Sequence, residues 1–229
     1  MSGSERDLLL VGAGGLGREA AEAVRAVNSL RPTWRLLGFL DDDLGKRGTF
    51  PAGLPVLGTP EAVHRFPGAQ VLLCPGRPDN YLSRRRLADR LELDDQRYAT
   101  VLHPTAAVGT SCRIGAGSVL LAHADLTADV VVGRHVVVMP QVVLTHDVRV
   151  DDFATVASGV RLSGGCHVGR GAYIGSGVCV REGLEIGELA FVGMGAVVTR
   201  DVPPERLWVG CPARDFSRAP LPGMVGRAA

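Results

Sequence analysis

Aliphatic residues recur at every sixth position through the second half of the chain, without a break. A small or apolar residue lies four places after each of them, as Ala106 lies after Leu102. A period of six matches neither an α-helix, whose side chains repeat every ~3.6 residues, nor a strand, whose side chains alternate. It is typical of a parallel β-helix built from hexapeptides. The aliphatic series is Leu102, Val108, Ile114, Leu120, Leu126, Val132, Val138, Leu144, Val150, Val156, Leu162, Val168, Ile174, Val180, Ile186, Val192 and Val198.

This period predicts the geometry of the second domain. Each hexapeptide should form one short strand and one tight turn, so that three hexapeptides complete a triangular coil. The aliphatic residues then point inward, and the small residues fill the remaining interior. Glycine often follows the aliphatic residue directly, as Gly109 follows Val108. We expect these glycines to adopt backbone angles that other residues resist.

The first hundred residues follow a different pattern, in which apolar strands alternate with helices. We predict strands at 7–11, 34–40, 55–58 and 70–74, and helices at 18–27, 60–66 and 80–91. A strand, a glycine turn and a helix begin a nucleotide-binding βαβ unit, because the helix N-terminus attracts a phosphate. The sequence therefore predicts a Rossmann-like α/β domain at 1–100, the β-helix at 101–216, and a loosely ordered tail at 217–229.

The ligand of the first domain is left open by its motifs. Gly12, Gly14 and Gly17 match the dinucleotide fingerprint, and acidic residues follow the second strand. The domain is too short for the second mononucleotide-binding half of a dinucleotide fold, so a nucleotide sugar fits it better than NAD. Another small acceptor and a purely structural domain are the remaining alternatives. We interpret the three consecutive arginines at 84–86 as a solvated helix face.

The composition limits the kinds of molecule that we expect the protein to bind. A net charge of +1 does not indicate the basic surface that is typical of nucleic-acid-binding proteins. The chain has no run of eighteen apolar residues and no signal peptide, so we expect a cytoplasmic protein without a membrane partner. The five cysteines are scattered. Cys112 and Cys166 both take inward small positions several coils apart, so we expect no disulfide between them.

Catalytic side chains of a filled β-helix must point outward, and His146 is the best candidate. Asp147 follows it and can hold one imidazole nitrogen, which leaves the other free as a base. One coil later comes Gly164, whose N–H can stabilise an oxyanion. No two histidines are five residues apart, as in the zinc site of γ-class carbonic anhydrases, so we expect no metal. The histidines expected to face outward are His103, His123, His135, His146 and His167.

These motifs together resemble the bacterial sialic-acid O-acetyltransferases and the bacillosamine-pathway sugar N-acetyltransferases, over roughly residues 7–216. The resemblance implies a left-handed parallel β-helix, acetyl-CoA as donor, and a homotrimer with active sites between subunits. The motifs are V-G-A-G-G-L-G-R-E at 11–19, G-F-L-D-D at 38–42, L-H-P-T-A at 102–106, H-D at 146–147, D-F at 152–153, L-S-G-G at 162–165, V-T-R-D-V-P at 198–203 and V-G-C-P-A-R at 209–214.

The resemblance also implies residue roles. His146 would be the general base, Asp147 its orienting partner, and the N–H of Gly164 the oxyanion donor. The implied acceptor-binding residues are Gly12, Gly14, Gly15, Leu16, Asp41 and Asp42. The implied CoA-binding residues are Gly175, Ser176, Gly193, Met194 and Arg214.

The implied reaction is acetyl-CoA-dependent acetylation of a sugar by direct transfer, and we expect the amino group of a nucleotide-linked amino sugar as acceptor. Three alternatives remain: an O-acetyltransferase of a sialic-acid-like sugar, a non-enzymatic trimeric nucleotide-sugar-binding protein, and an NAD-linked role of the first domain. Bacillosamine-type enzymes usually carry histidine where this chain has Leu16 and Thr155. Both positions belong to the acceptor side.

Overall fold

The computed structural model describes residues 5–217, and it begins with a parallel four-stranded sheet in the order β3-β2-β1-β4. The predicted strands are confirmed to within one or two residues. The first helix extends further in both directions than predicted, whereas the predicted helix at 60–66 is a 3₁₀ segment, Pro60–Arg65. The elements are β1 (Arg6–Val11), α1 (Gly15–Leu30), β2 (Trp34–Leu40), β3 (Val56–Gly58), β4 (Gln70–Leu73) and α2 (Ser83–Leu91).

A parallel β-helix follows, as the period of six predicts, and it is left-handed, as the resemblance implies. Its strands are β5 (Val101–Leu102), β6 (Ala107–Val108), β7 (Arg113–Ile114), β8 (Val119–Leu120), β9 (Asp125–Leu126), β10 (Val131–Val132), β11 (Val137–Val138), β12 (Val143–Leu144), β13 (Arg149–Val150), β14 (Thr155–Val156), β15 (Arg161–Leu162), β16 (His167–Val168), β17 (Tyr173–Ile174), β18 (Cys179–Val180), β19 (Glu185–Ile186), β20 (Phe191–Val192), β21 (Val197–Val198), β22 (Leu207–Val209) and β23 (Arg214–Asp215).

These strands form the three faces of a prism. Sheet I contains β5, β8, β11, β14, β17, β20 and β22, with β23 pairing antiparallel to β22. Sheet II contains β6, β9, β12, β15, β18 and β21, and sheet III contains β7, β10, β13, β16 and β19. The chain visits the sheets in the order I, II, III, so each turn lies at one of three corners: I–II, II–III or III–I.

The aliphatic series fills the interior of the prism. The residues from Leu120 to Val198 in this series are buried in one continuous core with the small residues between them. Leu102 and Val108 remain 40% and 36% exposed, because no coil lies below the first one. Cys112 packs against this core and Cys166 lies within it. All five cysteines are free thiols, as predicted for this pair.

The predicted role of the glycines after the aliphatic positions is wrong. Their φ angles are not in the left-handed region; that region is reached two residues later, as at His123 (φ 61°) and Gly117 (φ 75°). Gly109 is instead required because a Cβ there would overlap the carbonyl oxygen of Thr127 in the next coil. These glycines therefore allow the coils to approach closely at the turns.

The N-terminal domain packs on the outer face of sheet I. The residue that precedes each inward aliphatic residue points outward, and on sheet I all of these side chains are 9% exposed or less. Those in the first three strands of the sheet join the core of the N-terminal sheet and α1. Those in the last three of the seven parallel strands pack around Tyr81. The covered residues are Val101, Val119, Val137, Thr155, Tyr173, Phe191 and Leu207.

This packing corrects two predictions. Arg84 was expected on a solvated face but is fully buried, and His135 was expected to face outward but is only 1% exposed. Both lie where the N-terminal domain covers corner III–I. The ring of His135 stacks on Phe153 and meets the edge of Tyr98, with centroids 4.9 Å and 4.4 Å apart. None of the described helices is long and apolar enough to cross a membrane.

Candidate functional site

The N-terminal domain contains a cavity of about 590 Å³ at the carboxyl ends of β1, β2 and β4, which we call the N-terminal cavity. The crevice beside the carboxyl ends of parallel strands is where such sheets bind ligands. All six residues that the family resemblance implies for acceptor binding line it. They are Gly12, Gly14, Gly15, Leu16, Asp41 and Asp42.

The glycine turn leads directly into α1. Gly14 is the N-cap of this helix, and no side chain caps its first N–H groups. The first N–H groups of a helix lack intrahelical partners, so they can bind an anion. Gly17 is required for packing, because a Cβ there would overlap the carbonyl oxygen of Gly12. The glycine turn thus leaves backbone N–H donors at the start of α1 without a side-chain partner.

Asp41 stabilises the glycine turn. Its carboxylate accepts hydrogen bonds from Ala13 N (2.7 Å), Asp43 N (2.9 Å) and Lys46 Nζ (3.0 Å). Burial alone would raise the pKa of Asp41, but these N–H donors and the ammonium of Lys46 outweigh it and hold the pKa below its usual value. Asp41 therefore stays ionised and fixes the shape of the glycine turn.

Basic residues also line the N-terminal cavity, and among them only Arg86 belongs to the three consecutive arginines that were interpreted as a solvated helix face. Arg90 bonds both Asp42 (2.9 Å) and Glu61 (3.0 Å), which holds α2 against the end of β2. Arg77, Arg86 and Lys46 line the same cavity. The carboxylates Glu19, Asp41 and Asp42 line the cavity as well, so the lining has a small excess of positive charge, which favours an anionic ligand. Only their positions in the fold, and no spacing in the sequence, reveal this grouping.

His146, Asp147 and Gly164 come together at corner II–III, as predicted. His146 Nδ1 lies 2.8 Å from Asp147 Oδ2, and both side chains are about two-thirds exposed (68% and 66%). Asp147 has a φ of 61°, a left-handed conformation that Asp tolerates better than most residues. A Cβ at Gly164 would overlap the His146 ring. Within residues 5–217 the Gly164 N–H has no hydrogen-bond acceptor.

The residues that the resemblance assigns to CoA lie at a different part of the β-helix. Gly175 and Ser176 follow β17, and Gly193 and Met194 follow β20, so all four lie at corner I–II. Met194 is 79% exposed. Arg214 lies in β23, is exposed, and donates from Nη1 to Ala213 O at 2.8 Å. Within one chain these residues and His146 lie at different corners, on either side of sheet II.

The trio of His146, Asp147 and Gly164 and the N-terminal cavity are also apart in one chain. The cavity lies in the domain that covers sheet I, and Met139 at corner I–II is its one lining residue from the β-helix among the described residues. His146 lies at corner II–III, across the prism from sheet I. A single chain therefore does not unite the two regions.

A second histidine–carboxylate pair exists on sheet III. His167 Nε2 lies 2.8 Å from Asp151 Oδ2, and Asp151 also accepts from Arg149 Nε at 2.8 Å. One coil above His167 is Glu185, where His146 has Gly164. This pair therefore lacks the open backbone N–H of the first one. Nowhere in residues 5–217 do three histidine, cysteine, aspartate or glutamate side chains gather as metal ligands.

Comparison with known proteins shows similarity along almost the whole chain, although no family model matches it. The acetyltransferase domain of PglB from Neisseria gonorrhoeae reaches a TM-score of 0.82 at 29% identity, over 93% of this chain and 100% of that one. Perosamine N-acetyltransferase from Caulobacter crescentus reaches 0.80 at 26% identity, over 91% and 96%. In fold and in sequence the chain is thus similar to hexapeptide-repeat sugar N-acetyltransferases.

A curated protein is similar to the chain over a shorter stretch. UDP-N-acetylbacillosamine N-acetyltransferase of Bacillus subtilis is 34% identical over 122 residues, which are 51% of this chain and 52% of that protein. The chain thus matches about half the length of this relative. The PglB domain has been solved with acetyl coenzyme A, and the perosamine enzyme with CoA and GDP-perosamine. Relatives of this fold therefore bind a CoA donor, and one of them a nucleotide sugar as well.

Proposed function

We propose that this protein acetylates the amino group of a nucleotide-linked amino sugar with acetyl-CoA. The observation that carries the proposal is the contact of His146 with Asp147 on one side and with Gly164 on the other. It combines an oriented imidazole with a backbone N–H that has no acceptor among the described residues. General base catalysis and oxyanion stabilisation are the two functions that acyl transfer to an amine requires.

The proposed reaction is a direct transfer. His146 Nε2 accepts a proton from the amine as its nitrogen attacks the thioester carbonyl, and Asp147 stabilises the imidazolium that forms. The N–H of Gly164 donates to the oxyanion. When the C–S bond breaks, the proton passes from His146 to the departing CoA thiolate. Cys166 lies close in sequence but is buried in the prism core, so we assign it no covalent role.

The N-terminal cavity supports a nucleotide sugar as acceptor. The free N–H groups at the start of α1 and the cations Lys46, Arg77 and Arg90 suit a diphosphate. A volume of about 590 Å³ is within the range of small-molecule sites. The relatives from Bacillus subtilis and Caulobacter crescentus, named for UDP- and GDP-linked sugars, support the same substrate class.

We further propose a homotrimer with active sites between subunits. The distance between the N-terminal cavity and corner II–III in one chain supports this assembly, because a neighbouring copy would bring its His146 to the cavity. CoA would lie between neighbouring prisms, along corner I–II near Ser176 and Met194, with Arg214 available for a phosphate. The exposed side chains at these positions support the assignment.

The test is release of free thiol from acetyl-CoA in the presence of a panel of acceptors. The panel contains UDP-, dTDP- and GDP-linked amino sugars, the corresponding free amino sugars, and sialic acids. We expect turnover with a nucleotide-linked amino sugar and at least tenfold less with its free form. Turnover with sialic acids alone would replace the proposal by O-acetylation. Binding of acetyl-CoA without turnover of any acceptor would contradict amino-sugar acetylation.

A further inference from the structure

The guanidinium of Arg84 is the largest fully buried charged group of the described chain. No carboxylate among residues 5–217 accepts a hydrogen bond from it. Its partners are instead neutral oxygens, and burial lowers the pKa of Arg84 to about 10. They are Pro75 O (2.7 Å), His135 O (3.1 Å), Phe153 O (2.8 Å), Ala154 O (3.1 Å) and Thr155 Oγ1 (2.7 Å).

These five acceptors belong to three separate parts of the fold. Pro75 lies in the segment between β4 and α2, residues 74–82, which we call the cavity loop because most of it lines the N-terminal cavity. His135, Phe153 and Ala154 lie at corner III–I, and Thr155 lies on sheet I. Arg84 itself lies in the first turn of α2. One side chain therefore connects both ends of the cavity loop to each other and to the β-helix.

A second contact fixes the end of the cavity loop next to α2. Tyr81 donates a hydrogen bond from its hydroxyl to Leu189 O at 3.1 Å. Its ring packs on Tyr173 and Phe191, with centroids 5.9 Å and 5.6 Å apart. The aromatic contact connects the loop to sheet I, and Arg90 connects α2 to the end of β2. The polar contacts of Arg84 add the connection from α2 to corner III–I.

A buried cation without a carboxylate is costly, and packing alone would be better served by an apolar residue. What Arg84 provides is the planar fork of the guanidinium, whose N–H groups reach several acceptors in fixed directions. The face of α2 next to Arg84 carries Ser83, Arg86 and Leu87, which line the N-terminal cavity. The fork therefore fixes one wall of the cavity relative to the β-helix.

We propose that Arg84 is a positioning residue for the acceptor, which holds the cavity loop and α2 at one place against the β-helix. The proposal rests on the proposed function, since the bound acceptor must present its amine at a fixed distance from the catalytic corner. Thr155 is part of the same arrangement. At this position the resembling enzymes usually carry histidine, whereas here the hydroxyl accepts from Arg84.

The test uses the full-length variant Arg84→Lys, which keeps the charge and loses the fork. Arg85→Lys is the matched control, because Arg85 is the next residue of α2 and does not line the N-terminal cavity. Amide hydrogen exchange is measured along the chain of each variant, and KM is measured for acceptor and for acetyl-CoA. We expect at least tenfold faster exchange in residues 74–84 of Arg84→Lys alone. We also expect a KM for the acceptor at least tenfold higher, with the KM for acetyl-CoA unchanged within twofold.

Other outcomes overturn the proposal. Equal exchange in the two lysine variants would show that the guanidinium fork of Arg84 does not hold the cavity loop. Faster exchange throughout the chain would show that Arg84 has a purely structural role. If Arg84→Lys fails to fold, Thr155→Val takes its place, and we expect a smaller, two- to fivefold increase in exchange in the same segment. The exchange measurement needs no turnover, so it decides the role of Arg84 even if no amino sugar is acetylated.

Discussion

The imidazole of His146 occupies the space that a β-carbon would take at Gly164, one coil further along the β-helix. Replacing Gly164 with alanine must therefore displace the ring. The φ of Gly164 is not in the left-handed region, so the backbone itself tolerates alanine. We expect Gly164→Ala to lower kcat about 100-fold, since displacing a catalytic group by about 1 Å has an effect of this size. Acetyl transfer at saturating substrate measures it.

Gly68→Ala is the control for this prediction, because a Cβ there meets no atom within 4 Å. It should leave kcat and the melting temperature unchanged. A fully active Gly164→Ala protein would contradict the placement of the active site at corner II–III.

His146 should be the general base. We expect His146→Ala to lower kcat by roughly 10²–10⁴-fold, the usual contribution of such a base, in the thiol-release assay. Asp147→Asn should have a smaller effect in the same direction, since asparagine keeps the left-handed backbone (φ 61°) but loses the charge that stabilises the imidazolium.

The second histidine–carboxylate pair provides the control for His146. His167→Ala removes an imidazole at the same distance from a carboxylate, but on sheet III and without a glycine above it. It should retain activity within twofold. Equal losses in His146→Ala and His167→Ala would mean that both act through stability and not through chemistry.

His135 should make the protein less stable in mild acid. Burial, followed by the charges of Arg134 and Arg84, lowers the pKa of His135 from 6.5 to about 4, although Asp152 and Asp95 act in the opposite direction. The unfolded chain therefore binds a proton more readily between these two values. The free energy of unfolding should fall as the pH drops below about 6.5, by about 2 kcal/mol between pH 7 and pH 5.

Denaturant unfolding at the two pH values measures this dependence. His135→Asn should reduce it, because the variant removes the titrating group and suits the left-handed backbone at this position (φ 54°). His123→Asn is the control, since His123 is exposed and has a similar φ of 61°. If both variants keep the full pH dependence, another group is responsible for it.

The left-handed position of each turn predicts the effect of a glycine. Gln141 has a φ of 62°, and Gly159, one coil further on, has a φ of 72°. A residue other than glycine in the left-handed region destabilises the folded state by about 1–2 kcal/mol. Replacing it with glycine removes this cost, but the greater freedom of glycine in the unfolded chain offsets part of the gain.

We therefore expect Gln141→Gly to stabilise the protein by up to about 1 kcal/mol, which corresponds to a few degrees in melting temperature. Gly159→Ala should destabilise it by a similar amount, although its Cβ would meet only backbone atoms of Gly177 at 3.9 Å. Thermal unfolding of the two variants should thus shift in opposite directions.

The period of six was sufficient to predict the β-helix, its register and the trio at His146, because each inward residue fixes the position of its neighbours. The covered face was also accessible from the sequence, but the prediction missed it. On sheet I the outward residues, such as Val119, Val137 and Phe191, are apolar at each eighteenth position except Thr155, while sheet III carries Arg113 and Arg149 at the equivalent positions.

Arg84 could not be predicted in the same way. Its partners are mainly backbone carbonyls, which carry no sequence signal, and those in the β-helix lie between 51 and 71 residues away along the chain. Three consecutive arginines look like a solvated face until the docking of two domains is known. The same docking buries His135, although the histidine has the same place in its hexapeptide as the exposed His123.

The stacking of the coils also determines which changes of length the chain can tolerate. Strands β5 to β21 pair at a spacing of eighteen residues, as Val131 pairs with Arg149, and the spacing is sixteen only in the last coil, where Phe191 pairs with Leu207. An insertion of eighteen residues before His146 would add one complete coil and leave every later side chain on its own face. An insertion of six would preserve the filled interior but turn the rest of the prism by one face, so that His146 would lie beneath the N-terminal domain. The length of this domain can therefore change without moving side chains to another face only by whole coils.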